Sequence, residues 1–182
     1  MKKLFFVLTA ASLVLFSCSS DKAQKEIDDQ DNIKGSEVVE TDLDLEFRDF
    51  GGEPTVLNIE DYTLQNETFR TAIWTGEFMQ LTIMSIPVGG EVGLEVHDDI
   101  EQFLRVEAGK GMVFMGDSED NLDFQVEAED DDVILVPAGK WHNVKNIGDE
   151  TLKLYSIYAK PEHAYGTVHQ DKAESDADEH HH

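Results

Sequence analysis

Asp132-Val-Ile-Leu-Val-Pro137-Ala-Gly139-Lys-Trp-His142-Asn-Val-Lys-Asn146 is the stretch on which the fold turns. A short apolar run stops at a proline-glycine turn, and an alternating run begins two residues after it. Pro137 cannot donate to a ladder and Gly139 permits a sharp return, so the segment reads as strand, turn, strand, with His142 early in the second strand. Working outward, the chain between Glu53 and Lys160 repeats this grammar. Strands are predicted at 69–74, 78–87, 94–97, 102–107, 111–115, 124–127, 132–136, 141–146 and 152–158. They are separated by Thr75-Gly76, Gly89-Gly90, Ala108-Gly109-Lys110-Gly111, Gly116-Asp117, Pro137-Ala-Gly139 and Gly148-Asp149. Only 59–66 reads as a helix. Many short strands at even spacing predict an all-β sandwich or barrel in a single domain.

Composition narrows the function classes. The chain has 182 residues, with 14 Lys and Arg against 39 Asp and Glu, for a formal charge of −25. Nucleic-acid binding is excluded, because it needs clustered cations, and so is electrostatic docking on an anionic bilayer. A hydrophobic fraction of 40% supports a packed core. The single cysteine, Cys18, rules out an internal disulfide and a multi-thiolate zinc site. No phosphate-cradling glycine loop and no nucleophile elbow is present.

A second stretch belongs with the first: Pro87-Val-Gly-Gly-Glu-Val-Gly-Leu-Glu95-Val-His97-Asp-Asp-Ile-Glu101-Gln102-Phe-Leu-Arg105-Val-Glu-Ala-Gly109-Lys-Gly111. Together the two segments resemble the paired signature motifs of the cupin superfamily. The first family motif runs Gly, five residues, His-x-His, three or four residues, Glu, six residues, Gly. The second runs Gly, five residues, Pro-x-Gly-x-x-His, three residues, Asn, and it is matched here in all but its opening glycine. The resemblance covers about Gly89 to Asn146 and implies a jelly-roll (double-stranded β-helix) barrel with a mononuclear metal in its mouth.

At the positions matching the family's ligands stand Glu95, His97, Gln102 and His142. Relative to the usual three imidazoles and one carboxylate, the carboxylate has moved and an amide replaces one imidazole. Residues i and i+2 of a strand share a face, so Glu95 and His97 can converge on one ion. Gln102, placed by the motif's six-residue gap before Gly109, continues inward as Gln102, Leu104, Val106. A competing register would make Glu101 the third ligand and turn Phe103 and Arg105 inward. The preferred register turns Arg105 away from the metal. The set is hard enough to favour Mn, Fe(II) or Zn over copper. Phosphomannose isomerases of the superfamily hold zinc with a Gln, two His and a Glu. The alternative is that Glu95 and Gln102 merely hydrogen-bond the histidines in a barrel without an ion. His163 and His169, just beyond the last strand, either fold over the barrel mouth or, the preferred reading, cap a loop exit. Trp74, Phe114, Trp141 and Tyr155 read as core or interface.

The ends carry an address. Lys2 and Lys3 precede a short apolar stretch, and residues 1–17 read as a signal peptide. Leu15-Phe16-Ser17-Cys18 resembles the lipobox of bacterial lipoproteins, which implies diacylglycerol on Cys18 (palmitate-type acyl chains) and anchoring in the cell envelope. Ser19 after the cysteine favours the outer membrane, on the periplasmic or the surface side. Residues 18–52 are predicted as an acidic tether, 53–165 as the barrel domain and 166–182 as a solvated acidic tail. Leu43, Leu45 and Phe47 alternate, which would let the end of the tether add an edge strand. The terminal His180, His181 and His182 carry no functional weight.

The expectation is thus a lipid-anchored exported barrel with a divalent metal. Its function is either that of a small-molecule enzyme of oxygenase, isomerase or decarboxylase type, with Glu101 as a spare acid or base, or that of a non-catalytic module for a sugar or carboxylate. The resemblance also implies a homodimer.

Overall fold

The computed structural model of the chain describes residues 44–179. The signal segment, Cys18, most of the tether and the three terminal histidines lie outside the described residues. The elements in chain order are α1 (Ile59–Gln65), β1 (Arg70–Thr75), β2 (Gln80–Ile86), β3 (Gln102–Ala108), β4 (Lys110–Gly116), β5 (Phe124–Glu129), β6 (Val133–Val136), β7 (Trp141–Asn146), β8 (Leu152–Tyr158), β9 (Val168–His169) and α2 (Lys172–Glu179). Six strands form one antiparallel sheet in the order β6-β3-β8-β2-β1-β9, and three form a second in the order β5-β4-β7. The all-β expectation holds, and β1 to β8 fall within a few residues of their predicted places.

Opposed residues of an antiparallel pair share a face, so the register gives the interior of the large sheet directly. Gln80, Tyr158 and Gln102 make one inward row; Thr82, Ser156, Leu104 and Ile134 make the next; Met84, Leu154 and Val106 follow, with Arg70 and His169 on the same line. All are buried. Against the apolar end pack Val113, Met115 and Val144 of the small sheet. Each fully buried aliphatic side chain there contributes about 1.5–3 kcal/mol. The interior therefore has an apolar half that carries the stability and a polar half at the other end.

The outer face of the large sheet is covered by α1 and the chain before it: Tyr62, Ile73 and Ile83 pack with Leu45, Phe50, Leu57 and Ile59. The folded unit therefore starts earlier than residue 53. Asp49, predicted as part of a tether, is buried and brackets three segments. Its carboxylate accepts from Gly51 N (2.8 Å), Thr75 N (2.9 Å) and Gly166 N (2.9 Å). Leu45 thus joins a helix-covered cluster, and no strand forms at 44–52.

Two further expectations need correction. The predicted strand 94–97 forms only a single bridge, Glu95 to His142, with another, Glu91 to Lys145, just before it. Gly93 lies between them at φ +122°, which breaks the ladder. The tail predicted as solvated from Gln170 folds back: β9 pairs with β1, and α2 follows it. Asp171 accepts from Glu174 N (3.0 Å) while Glu174 reaches back to Gln170 N (2.7 Å), a reciprocal capping arrangement that the acidic composition masked. Ser175 is buried and accepts from Arg70 Nη1 at 2.7 Å.

Candidate metal centre

The turn and the two motif segments are tied to one another through the backbone. Glu95 N donates to His142 O (3.0 Å) and His142 N to Glu95 O (2.9 Å), so their side chains leave the same bridge on the same face. Gly139, in the left-handed region at φ +76°, donates its amide to His97 O at 2.7 Å. The Pro137–Gly139 turn therefore positions His97 as well as starting β7. Asn146 ends the motif structurally: its side-chain amide donates to Ile86 O and Glu150 O, joining β7 to β2 and to the loop before β8.

Four polar atoms meet at the polar end of the interior. His142 Nε2 lies 2.8 Å from Gln102 Oε1 and 3.3 Å from Glu95 Oε1, and His97 Nε2 lies 3.5 Å from Glu95 Oε1. Gln102 and His142 are buried, and the side chains of Glu95 and His97 keep only 14% and 8% of their exposure. Gln102, on the same face as Leu104, points inward. Glu101 is exposed on the flank and its carbonyl accepts from Ala159 N. Glu101 therefore stands apart from the cluster, and the spare acid or base expected there is not at the site. Arg105 pairs with Glu107 and Asp131 on the outer side, as its register requires.

The hydrogen-bond roles show why the cluster fits a cation. His142 Nδ1 faces Lys140 O at 2.9 Å, and since a carbonyl only accepts, Nδ1 carries a proton there; in the neutral ring that leaves the lone pair on Nε2. Gln102 Nε2 donates to Ser156 Oγ at 2.9 Å, so Oε1 faces that lone pair. Glu95 Oε1 and His97 Nε2 are buried without a hydrogen-bond partner. With both imidazoles neutral, acceptors would face acceptors, an arrangement that costs free energy unless a proton on a ring or a metal ion supplies positive charge at their centre. Ligand bonds of about 2.1 Å set neighbouring donors about 3.0 Å apart in an octahedron and about 3.4 Å in a tetrahedron. The observed separations bracket those edges. Glu95, His97 and His142 offer ligand atoms all within 4.8 Å of one another.

The charges behave accordingly. Burial opposes ionisation of Glu95, but hydrogen bonds from His142 and His97, together with the Arg70 charge, hold its carboxyl well below the usual range. Burial opposes protonation of His97, but Glu162 and then Glu95 outweigh it and raise the imidazole to about 9. In the metal-free protein a proton on His97 therefore serves as the local cation, and a divalent ion would displace it.

Glu162 and Tyr158, around the cluster, were not singled out by the sequence reading, and two residues that were, His163 and His169, stand beside them. Glu162 Oε1 lies 3.5 Å from His97 Nδ1. Tyr158 presents its ring edge-on to both His97 (5.8 Å) and His163 (5.3 Å), and burial pushes its hydroxyl up to about 12. His163 is not a simple loop cap: burial and the nearby Arg70 charge push it down to about 3. His169 is buried against Asp178 of α2 at 3.2 Å. Period-2 reading could have found Ser156 and Tyr158, since polar residues at the inward positions after Leu152 and Leu154 mark where β8 reaches the site.

Comparison with known proteins agrees with this architecture. A family profile described as a cupin domain matches residues 82–158. The Bacillus subtilis protein YrkC is 54% identical over 138 residues, which is 76% of this chain and 74% of that one. A crystal structure of a Bacillus halodurans protein superposes with a TM-score of 0.71 at 57% identity, covering 71% of this chain and 98% of that one. A Klebsiella pneumoniae protein with a double-stranded β-helix domain matches at a TM-score of 0.50 and 17% identity, covering 65% of this chain and all of the other; it supports the fold alone.

Proposed function

Since the chain belongs to the cupin family as a small single-domain member, we propose that its barrel holds one divalent ion, Mn, Fe or Zn, on Glu95, His97, Gln102 and His142, and handles a small oxygenated molecule there. The observation that carries this reading is the convergence of two imidazole nitrogens, a carboxylate oxygen and an amide oxygen on one buried point. Three neutral ligands and one carboxylate leave a net positive centre, matched to an anionic or carbonyl oxygen. When bound, the ion would supply Lewis-acid or O₂-binding chemistry of oxygenase, isomerase or decarboxylase type. The chain's own residues fix the ligands. Lys140 O sets the tautomer of His142, Ser156 holds the Gln102 amide, and Tyr158 backs the His97 ring. Element analysis of protein purified without an added histidine tag is expected to give close to one metal per chain. Less than a tenth of that, after reconstitution with each of the three metals, would end the reading.

A capture module for a sugar or carboxylate is the second reading. It draws on one observation: both carboxylates at the cluster, Glu95 and Glu162, are engaged with His97. Oxygen consumption by the Fe(II)-loaded protein with a diphenol favours the enzyme, whereas tight binding of a ligand recovered unchanged favours capture.

The address is part of the proposal. Cys18 carries the acyl chains in a cell envelope, outer membrane by its Ser19, and the acidic residues after it space the barrel from the bilayer. Metabolic labelling with an alkyne palmitate is expected to tag the wild-type protein and not Cys18→Ser; equal labelling of both would exclude this anchor. A homodimer is also proposed, with the exposed Phe124, Val126, Val133 and Leu135 of β5 and β6 as the apolar face available to it.

A further inference from the structure

We propose that Glu162 is the positioning residue of the centre, holding His97 in the one tautomer and orientation that can ligate an ion. This inference rests on the metal reading above and assigns a role to a residue outside the ligand set. An imidazole binds metal through a lone pair, so the proton must sit on its other nitrogen, and an acceptor placed there decides which nitrogen that is. For His142 that acceptor is a backbone carbonyl, Lys140 O, on its own strand approach. His97 has a carboxylate in the same place: Glu162 Oε1 stands 3.5 Å from Nδ1, while Nε2 is turned to Glu95 and lacks a partner of its own. The two histidines are thus braced by different means, a fixed main-chain oxygen for one and an anion for the other. An anion also raises the basicity of the nitrogen that faces the metal.

The loop that carries Glu162 is built to hold it there. Gln80, fully buried in the first polar row, uses its whole side-chain amide on this segment and the end of β1. Its Oε1 accepts from Glu162 N (3.2 Å) and His163 N (2.9 Å), and its Nε2 donates to His163 O (2.9 Å) and Thr75 Oγ1 (2.9 Å). A buried amide with every position used is a rigid clamp. It fixes the backbone of 162 and 163 against the large sheet, leaving the Glu162 side chain to span the remaining distance to His97. That side chain keeps 32% of its exposure, against 8% for His97. Glu162 therefore sits where the ligand shell meets solvent.

The test is a Co²⁺ titration of the full chain, read by visible absorption, for wild type, Glu162→Ala and Glu162→Gln, with melting of each metal-free protein alongside. Glu162→Ala is expected to weaken Co²⁺ binding by about 10–100-fold. Glu162→Gln keeps an acceptor and loses the charge, so it should recover part of that loss; metal-free melting of all three separates any stability lost with the Glu162–His97 pair from the loss of Co²⁺ affinity. Equal Co²⁺ affinity for Glu162→Ala and wild type overturns the inference and leaves the metal reading standing. A wild type that binds neither Co²⁺ nor Zn²⁺ overturns the metal reading itself, and the inference with it. If metal-free melting shifts in Glu162→Ala, nitrogen-15 NMR of the Zn²⁺-loaded proteins decides. Loss of the protected His97 Nδ1–H resonance in Glu162→Ala and its retention in Glu162→Gln support positioning; an unchanged His97 tautomer in both overturns it.

Discussion

Glu95→Gln and His142→Ala should each lower metal affinity by more than about a hundredfold, because even outer-shell losses at such centres cost up to that much. Glu95→Gln is the cleaner variant. It preserves volume and removes only the charge, the one negative group among the four ligands. His142→Ala also opens space among buried neighbours and will cost some stability without metal. Melting in the presence of metal separates the two effects. At free metal a thousandfold above Kd, binding adds about 4 kcal/mol to wild type; a site weakened a hundredfold retains about 1.4 kcal/mol under the same conditions. For a domain of this size that is a rise of about 15 °C for wild type against about 5 °C for Glu95→Gln. The competing picture, in which Gln102 and Glu95 only hydrogen-bond the histidines, predicts no metal-induced rise in any of the three proteins. The same melting series therefore decides between them.

How far the sequence reached depended on the range of the interaction. Gln102 rather than Glu101 was legible because two local facts agree: period-2 alternation through Leu104 and Val106, and the motif glycine, Gly109, after a gap of six residues. Gly109 sits at φ +84°, where a Cβ would meet Leu152 Cα and Thr151 O at 2.9 Å, so the register is pinned at that end. His142 was legible from the Pro137–Gly139 turn for the same reason. The 94–97 strand was over-read because Gly93 ends the ladder that alternation alone would continue. Glu162, Arg70 and Ser175 were beyond local reasoning. Arg70 and Ser175 meet because β9 and α2 return to β1, Glu162 is placed by the Gln80 clamp on the loop after β8, and neither closure leaves a periodic trace. What could be seen, with hindsight of the chemistry alone, is the Asp171-x-x-Glu174 capping pair and a lone arginine opening an apolar strand.

The metal-free protein should be most stable near pH 6.5 and lose stability on both sides, with His163 setting much of the acid side. A histidine held below its ordinary value of 6.5 binds fewer protons folded than unfolded. Its contribution is therefore complete above pH 6.5 and is lost as the pH falls toward its folded value of about 3. Over the two pH units from 6.5 to the ordinary carboxylate value of 4.5, this one imidazole removes about 2–3 kcal/mol of folding free energy. His97 has the opposite sign. Raised to about 9, it contributes fully below pH 6.5 and loses that contribution as the pH rises through 9. Glu95, whose carboxyl is held low, adds to the loss only below pH 4.5, where the unfolded chain begins to take up protons. The discriminating variant is His163→Phe, which keeps an aromatic edge against Tyr158 and cannot be charged. Denaturant melts in a chelator should show the wild-type fall between pH 6.5 and 4.5 flattened by about 2 kcal/mol in this variant, with the alkaline limb unchanged. An acid limb as steep in His163→Phe as in wild type would mean that His163 takes up its proton in the folded state without cost. Burial and the Arg70 charge would then have to be relieved by movement of the segment from Pro161 to His169, and the polar end of the barrel would be an opening rather than a closed chamber.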